Sequence, residues 1–355
     1  SLVYARKHAE RYLQIYKDHL YIKGHVDDTT KIIKKLKKLS STGISGYSDF
    51  VESRLSQNPS YRIDSKEKLN ALKTIFSDSH VALIYGSAGT GKSTLINHIS
   101  NLYNDRKKFY LANTNPAVDN MRRKVNAGNC EFKTIAKFLS NYNTNTKCDI
   151  LFIDECSTVS NKDMRNILEK ATFKLLVLVG DVFQIEAILF GNWFSIARTF
   201  MPETSVSELS KPYRSTNERL LTIWDRVRKL QDDILEPMVK GKYTVKLDES
   251  IFEHSEEDEI ILCLNYDGLY GINNVNRFLQ SSNPNPEIVW GINTYKIGDP
   301  VLFNESDRFA PLIYNNMKGR IKDIETTDNK IRFDIELDIA ITCLLYTSPS
   351  PRDRG

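Results

Sequence analysis

Val81-Ala82-Leu83-Ile84-Tyr85-Gly86-Ser87-Ala88-Gly89-Thr90-Gly91-Lys92-Ser93-Thr94-Leu95-Ile96 decides the fold of this chain. The first five residues are apolar and partly β-branched, which predicts a buried strand. Leu95, Ile96 and Ile99 then recur at the spacing of one helix face. Between the two, Gly86 to Thr94 fits G-x-x-x-x-G-K-[ST], a phosphate cradle when it joins a strand to a helix. Gly86, Gly89 and Gly91 let the backbone bend with its N–H groups inward and leave no side chain in the way of phosphate. Lys92 sets a point charge on the β- and γ-phosphates, and Ser93 offers a hydroxyl to Mg²⁺ at a helix N-terminus. Gly86, Ser87, Ala88, Gly89, Thr90, Gly91, Lys92, Ser93 and Thr94 are therefore the expected nucleotide-binding set. The motif predicts binding of a nucleoside triphosphate and leaves its purpose open.

The chain around this loop has the bulk of a soluble protein of two or three domains, with 41% apolar and 26% charged residues among 355. A net charge of +4 permits a polyanionic partner without requiring one. The charge is uneven: residues 1–65 hold twelve Lys or Arg against seven acids, whereas 248–259 hold seven acids and no base. Cys130, Cys148, Cys156, Cys263 and Cys343 are scattered without a C-x-x-C pair, which predicts reduced thiols of a cytoplasmic protein and no structural metal. No apolar run has the length of a membrane span and no signal peptide is visible, so no membrane partner is expected.

Residues 1–62 read as helical. Lys31-Ile32-Ile33-Lys34-Lys35-Leu36-Lys37-Lys38-Leu39 places apolar residues at helical spacing with lysines between them. Such a helix either meets nucleic acid or a membrane or presents a solvated face over a small helical packing unit, and the last reading is the simpler. Continuous apolar runs at 109–112, 149–153 and 174–179 predict strands of a parallel sheet covered on both sides. A helix is expected over 215–231, with Leu220, Leu221, Trp224, Val227 and Leu230 on one face. Ser281 to Glu287 marks a boundary, and the short β-prone runs at 288–290, 300–303, 319–321 and 330–333 predict a small β module.

Three further segments bear on chemistry. The 149–153 run ends in Asp154-Glu155, which places one acid for Mg²⁺ and a second to orient and deprotonate water. The 174–179 run ends in Gly180-Asp181-Val182-Phe183-Gln184, where Gln184 is suited to contact the γ-phosphate or the attacking water. Farther on, Tyr213-Arg214-Ser215 offers an arginine for transition-state charge. The expected catalytic residues are thus Lys92, Asp154, Glu155, Gln184 and Arg214, with Ser93 and Asp154 as metal ligands.

This ordered set resembles superfamily 1 helicases of the RecD/Dda-like branch. Gly86 to Thr94 resembles motif I, and Ala112-Asn113-Thr114-Asn115-Pro116-Ala117-Val118-Asp119-Asn120 resembles motif Ia. Thr134 to Leu139 resembles the following TIHxxL segment, with Ala136 where His is usual. Phe152 to Ser157 resembles motif II, Val179 to Ile185 motif III, and Tyr213-Arg214-Ser215 motif IV. Weaker likenesses follow: Ile261 to Asn265 to a second-motor-domain strand, and 298–304 and 314–321 to the inserted SH3-like module.

The resemblance implies an α/β fold: a RecA-like parallel-sheet motor domain over 63–205 and part of a second over 206–285. A small SH3-like β module over 286–336 and a returning segment at 337–342 complete it. It implies ATP and Mg²⁺ as ligands, single-stranded DNA as partner, 5′-to-3′ movement, and contact of Thr114, Asn115, Pro116 and Thr134 with nucleic acid. An RNA helicase of the same superfamily is an alternative, because Asn115 to Asn120 also resembles the RNA-acting branch. A nucleotide-switched regulatory protein without motor activity is a second alternative. The sequence departs from the family at Lys68, which stands where the family carries the Gln that reads adenine. The segment between motifs Ia and II is short, which predicts a reduced strand-splitting pin.

Leu337 to Thr342 resembles the lead-in to motif V, after which Cys343-Leu344-Leu345-Tyr346-Thr347-Ser348-Pro349-Ser350-Pro351-Arg352-Asp353 follows. That stretch back-translates to a transposon-end adapter used in preparing DNA libraries. Residues 343–355 are therefore expected to be a non-native tail. The chain, which starts at Ser1, is expected to be a fragment lacking motifs V and VI, able to bind nucleotide but weak in hydrolysis.

Overall fold

The computed structural model describes residues 12–58, 61–140, 146–184, 187–213, 215–244, 261–303, 313, 317–327, 330–337 and 342–347. The chain divides into two compact units, residues 1–241 and 242–355.

The first unit is built on a six-stranded, wholly parallel sheet. Its strands are β3 (Val81–Gly86), β4 (Lys108–Ala112), β5 (Cys130–Thr134), β6 (Ile150–Ile153), β7 (Leu175–Gly180) and β8 (Val206–Leu209), in the spatial order β5-β4-β6-β7-β3-β8. The four inner strands are buried along their whole length. This explains their unbroken apolar sequences, since a parallel strand covered on both faces has no solvent side to mark with polar residues. Side chains alternate across the sheet, so each strand feeds two cores. Leu83, Tyr85, Leu151, Ile153, Leu176 and Leu178 join one, and Ala82, Ile84, Tyr110, Phe152, Val177 and Val179 the other. Tyr110 stacks between Phe132 and Phe152, each at 4.6 Å between ring centres.

The N-terminal helices belong to these cores. Helix α1 (Lys23–Leu39) buries Ile32, Ile33 and Leu36 on one face of the sheet, and α2 (Tyr47–Gln57) buries Tyr47 and Val51 on the other. The exposed lysines of α1 are the reverse side of that packing. The expectation of a wholly helical N-terminal region needs one change. Residues 13–22 form an antiparallel hairpin, β1 (Leu13–Tyr16) and β2 (His19–Ile22), whose turn residues Lys17 and Asp18 both have positive φ.

Helix α3 (Lys66–Thr74) is capped by Ser65 and leads into β3. Helices α4 (Lys92–Leu102), α5 (Asn115–Lys124), α6 (Ile135–Ser140) and α7 (Asn161–Lys170) follow β3, β4, β5 and β6 respectively, and α8 (Trp193–Ala197) follows β7. Trp193 is fully buried and donates its indole N–H to the Val159 carbonyl at 2.9 Å.

Strand β8 pairs with β3, in register from Leu83 opposite Val206 to Gly86 opposite Leu209. Residues 206–209 therefore complete the first sheet and do not open a second domain. Helix α9 (Glu218–Arg228), within the predicted 215–231 span, and the short α10 (Leu235–Lys240) follow in the same unit. The apolar stripe expected on α9 is largely open: Trp224 and Val227 are exposed, and Ile223 is the residue that is buried.

In the second unit, residues 261–265 form no strand, and α11 (Ile272–Ser281) ends at the predicted boundary. Strands β9 (Ile288–Trp290) and β10 (Asn293–Tyr295) make a hairpin. Strands β11 (Pro300–Leu302), β12 (Lys318–Thr327), β13 (Lys330–Leu337) and β14 (Thr342–Thr347) make an antiparallel sheet in that order. Ile321, Ile331, Phe333, Ile335 and Leu337 form its core with Phe303, Ile313 and Met317. Asp299 is a structural acid here, accepting from Lys296 N at 2.8 Å and Asn283 Nδ2 at 2.8 Å. No helix among the described residues is long and apolar enough to cross a membrane.

Candidate functional site

The strands of a parallel sheet all end on one edge, so the residues that follow each strand meet there. On this edge the order of strand ends is Thr134 of β5, Ala112 of β4 leading to Asn113 and Thr114, Asp154 after β6, Asp181 after β7, Gly86 of β3, and Ser210 after β8. Every candidate residue that is described lies at or just beyond one of these ends.

The phosphate loop turns where only glycine is at ease: Gly89 and Gly91 have φ of +82° and +85°. Crowding adds to strain at Gly91, where a Cβ would lie 2.6 Å from Lys68 Cε. Thr90 braces the loop by donating its hydroxyl to the Ser87 carbonyl at 2.9 Å. Lys92, first residue of α4, turns back over the loop and donates to the carbonyls of Gly86 at 2.8 Å and Ser87 at 2.9 Å. Burial pushes the Lys92 ammonium below its ordinary pKa, opposed by the charges of Asp181 and Asp154. Ser87, Ser93 and Gly91 are half-buried, while Ala88 and Thr94 are exposed.

Asp154 is nearly buried, and its Oδ1 accepts from the Glu155 N–H at 2.9 Å. Burial holds its carboxyl above the usual carboxylate range, with Lys92 opposing. Burial, followed by the charge of Asp154, does the same to Glu155. Glu155 also sits at φ +54°, a conformation that costs a non-glycine residue energy and recurs where a side chain must be aimed. The Asp154 carboxylate and Ser93 hydroxyl are hard oxygen donors of the kind Mg²⁺ takes. These residues fit the ion. Among the described residues, no cluster of three or more His, Cys, Asp or Glu is placed to hold a metal by itself.

A hydrogen-bonded path leaves this acid pair toward the motif Ia-like segment. Thr158 donates its hydroxyl to the Glu155 carbonyl at 2.8 Å, and Asn113 Nδ2 donates to Thr158 Oγ1 at 2.9 Å. Thr114 caps α5, accepting from Ala117 N at 3.3 Å, with Asn115 and Pro116 in the first turn. Thr134, in register with Ala112, accepts from Lys137 N at 3.2 Å at the start of α6. Thr114 and Asn115 are exposed, Pro116 and Thr134 half-buried. All four line the edge on the β4–β5 side of Asp154.

Gln184 is exposed, on a turn where its N–H donates to the Asp181 carbonyl at 3.2 Å. Arg214 lies outside the described residues. Its neighbour Tyr213 is placed: the Tyr213 N–H donates to the Gly89 carbonyl at 2.8 Å, and its ring lies 4.4 Å from Lys68 Nζ. Lys68 is itself buried, paired with Asp64 at the flank of Gly91.

One residue at this edge was not anticipated. Arg228, at the end of α9, meets the buried Asp181 through an Nη1–H to Oδ2 hydrogen bond of 2.7 Å and an Nη2 to Oδ1 ion-pair contact of 2.7 Å. Its guanidinium also lies 4.4 Å from the centre of the Phe183 ring. In the sequence it looks like any basic residue in the last turn of an amphipathic helix. Only the packing of α9 brings it to Asp181.

Residues 65–236 match the family model AAA_30, described as an AAA domain. No curated protein matches the chain. Among solved structures the chain is similar to Pif1 helicase from Bacteroides in complex with ADP-AlF3 and ssDNA, at 16% identity and a TM-score of 0.51, over 80% of this chain and 74% of that one. It is also similar to Pif1 helicase from Candida albicans, at 18% identity and a TM-score of 0.46, over 82% and 80% of the two chains. At the identity shared with the Bacteroides protein, what the chain has in common with it is the RecA-like α/β fold.

Proposed function

We propose that this chain is an ATP-driven DNA helicase or translocase. The observation that carries the reading is the convergence, on one edge of a parallel sheet, of a phosphate loop, a buried acid pair and the Asp181–Gln184 turn. Lys92 leaves the loop carbonyls for the β- and γ-phosphates, and the backbone N–H groups of residues 86–94 take the remaining charge. Ser93 and Asp154 would hold Mg²⁺, which would supply positive charge against the phosphates. Glu155 accepts a proton from the attacking water, and Gln184 reads whether the γ-phosphate is present. Arg214 follows the Tyr213–Gly89 tether and supplies cationic charge to the transition state.

Nucleic acid crosses the same edge at Thr114, Asn115, Pro116 and Thr134. The Asn113–Thr158–Glu155 path then ties strand binding to the water-activating acid. The Bacteroides neighbour's complex with ADP-AlF3 and ssDNA supports a site that takes both ligands. Movement from 5′ to 3′ and the RecD/Dda-like branch follow from the motif resemblance. The proposal that residues 343–355 are adapter-derived rests instead on the back-translation of Cys343 to Asp353, although Thr342–Thr347 pairs with β13, and sequencing the source locus through codon 342 tests it.

The deciding experiment is ATP hydrolysis by the 355-residue chain, and by a chain extended with native sequence, with and without single-stranded DNA or RNA. Stimulation by DNA is expected. An unchanged rate with both polymers in both chains overturns the reading, and stimulation by RNA alone reassigns the substrate, since contacts to backbone phosphate do not distinguish the two.

A further inference from the structure

Asp181 and Lys92 are close by construction. Gly180 of β7 lies opposite Tyr85 of β3, so Asp181 emerges one strand spacing, about 4.8 Å, from Gly86, whose carbonyl holds Lys92 Nζ. Asp181 is also the leading opposite charge felt by Lys92. A nearly buried carboxylate beside the phosphate-binding lysine is a hazard to a nucleotide site. Left unpaired, it would draw the ammonium into an ion pair that a triphosphate would have to break.

Arg228 removes that hazard. Its two terminal nitrogens meet the two Asp181 oxygens at 2.7 Å each, and Phe183 N–H adds a bond to Oδ1 at 3.1 Å. The Asp181 carboxylate is thereby satisfied without Lys92, which donates to the loop carbonyls of Gly86 and Ser87. The planar fork matters, because a lysine at this position would deliver charge to one carboxylate oxygen without the second contact.

We propose that Arg228 is a positioning residue of the nucleotide site: it neutralises Asp181 so that Lys92 stays free to receive the phosphates. The proposal rests on the reading of residues 86–94 as that site.

The test is the affinity of the full 355-residue chain for a non-hydrolysable ATP analogue with Mg²⁺, measured by titration calorimetry, with thermal melting as the check of folding. Arg228→Ala is expected to bind about tenfold more weakly, the scale of one charge-assisted contact. The double variant Arg228→Ala/Asp181→Ala is expected to recover to within about threefold of the parent, because the competing carboxylate is gone. Arg228→Lys should fall between parent and Arg228→Ala. Should Arg228→Ala fail to fold, Arg228→Gln against Arg228→Gln/Asp181→Asn makes the same comparison. Unchanged affinity in the single variant, or no recovery in the double, overturns the proposal. A parent chain that binds no analogue, or binds it equally with Lys92→Ala, overturns the nucleotide-site reading instead.

Discussion

The main-chain N–H of Tyr213 donates to the carbonyl oxygen of Gly89 at 2.8 Å, so the chain leaving β8 is fastened to the crown of the phosphate loop. The Tyr213 ring lies over the Lys68 ammonium, which Asp64 pairs from another side. Tyr213→Ala should cost about 0.5–2 kcal/mol of stability through loss of the cation–π contact, whereas Tyr213→Phe keeps the ring face and should cost little. Urea unfolding of both variants checks this, and equal losses would discount the contact.

Glu155→Gln should lower ATP turnover by about 10²–10⁴-fold, the range for removing a general base, while nucleotide affinity stays within a fewfold of the parent. Single-turnover hydrolysis and calorimetry separate the two effects. Retained turnover removes Glu155 from its assigned role.

The buried acids also predict a pH effect on the nucleotide-free protein. Asp154 and Glu155 have folded-state pKa values above their unfolded ones, so the folded state binds protons more tightly. Their contribution to stability is greatest below the ordinary carboxylate range, about pH 4, and is lost as pH rises through the folded values. Asp154→Asn should therefore melt above the parent at pH 7.5 without Mg²⁺ or nucleotide, and the gap should narrow at pH 5. Melting curves at the two pH values decide it, and a gap that widens toward acid would contradict the assigned burial effect.

Asn113→Ala deletes the amide that donates to both the carbonyl and the hydroxyl of Thr158, whose N–H and hydroxyl in turn donate to the Glu155 carbonyl. The loss of about 1 kcal/mol expected per hydrogen bond should appear as a several-fold fall in DNA-stimulated hydrolysis, with the DNA-free rate changed less. Comparing the two rates in one preparation checks this, and an equal fall in both would make the bond structural only.

Much of the fold was legible because the inner strands carry no polar interruption: Val81 to Tyr85, Phe109 to Ala112 and Leu175 to Val179 all occur as strands. The edge strands were harder. Val206-Ser207-Glu208-Leu209 is only partly covered and mixes polar with apolar residues, so its sequence does not mark it as a strand of the first sheet. The hairpin at 13–22 turns through Lys17 and Asp18 and lacks the Asn-Gly or Gly signal that usually announces such a turn. The phosphate loop, the acid pair and Gln184 could be read because each follows an apolar run at once. Arg228 could not, because its role depends on where α9 packs, and no local pattern encodes that.

The pairing of β8 with β3 has a mechanical side. Four consecutive residue pairs, from Leu83–Val206 to Gly86–Leu209, join the two strands side by side. Tension applied at Ser210 along the strand axis would load those pairs in shear, all together, and would not peel them one at a time. The strand that takes the load is the immediate neighbour of the strand that ends in the phosphate loop. Force on the chain beyond Tyr213 would thus meet the Gly89 carbonyl of the loop first and the β8–β3 pairs behind it.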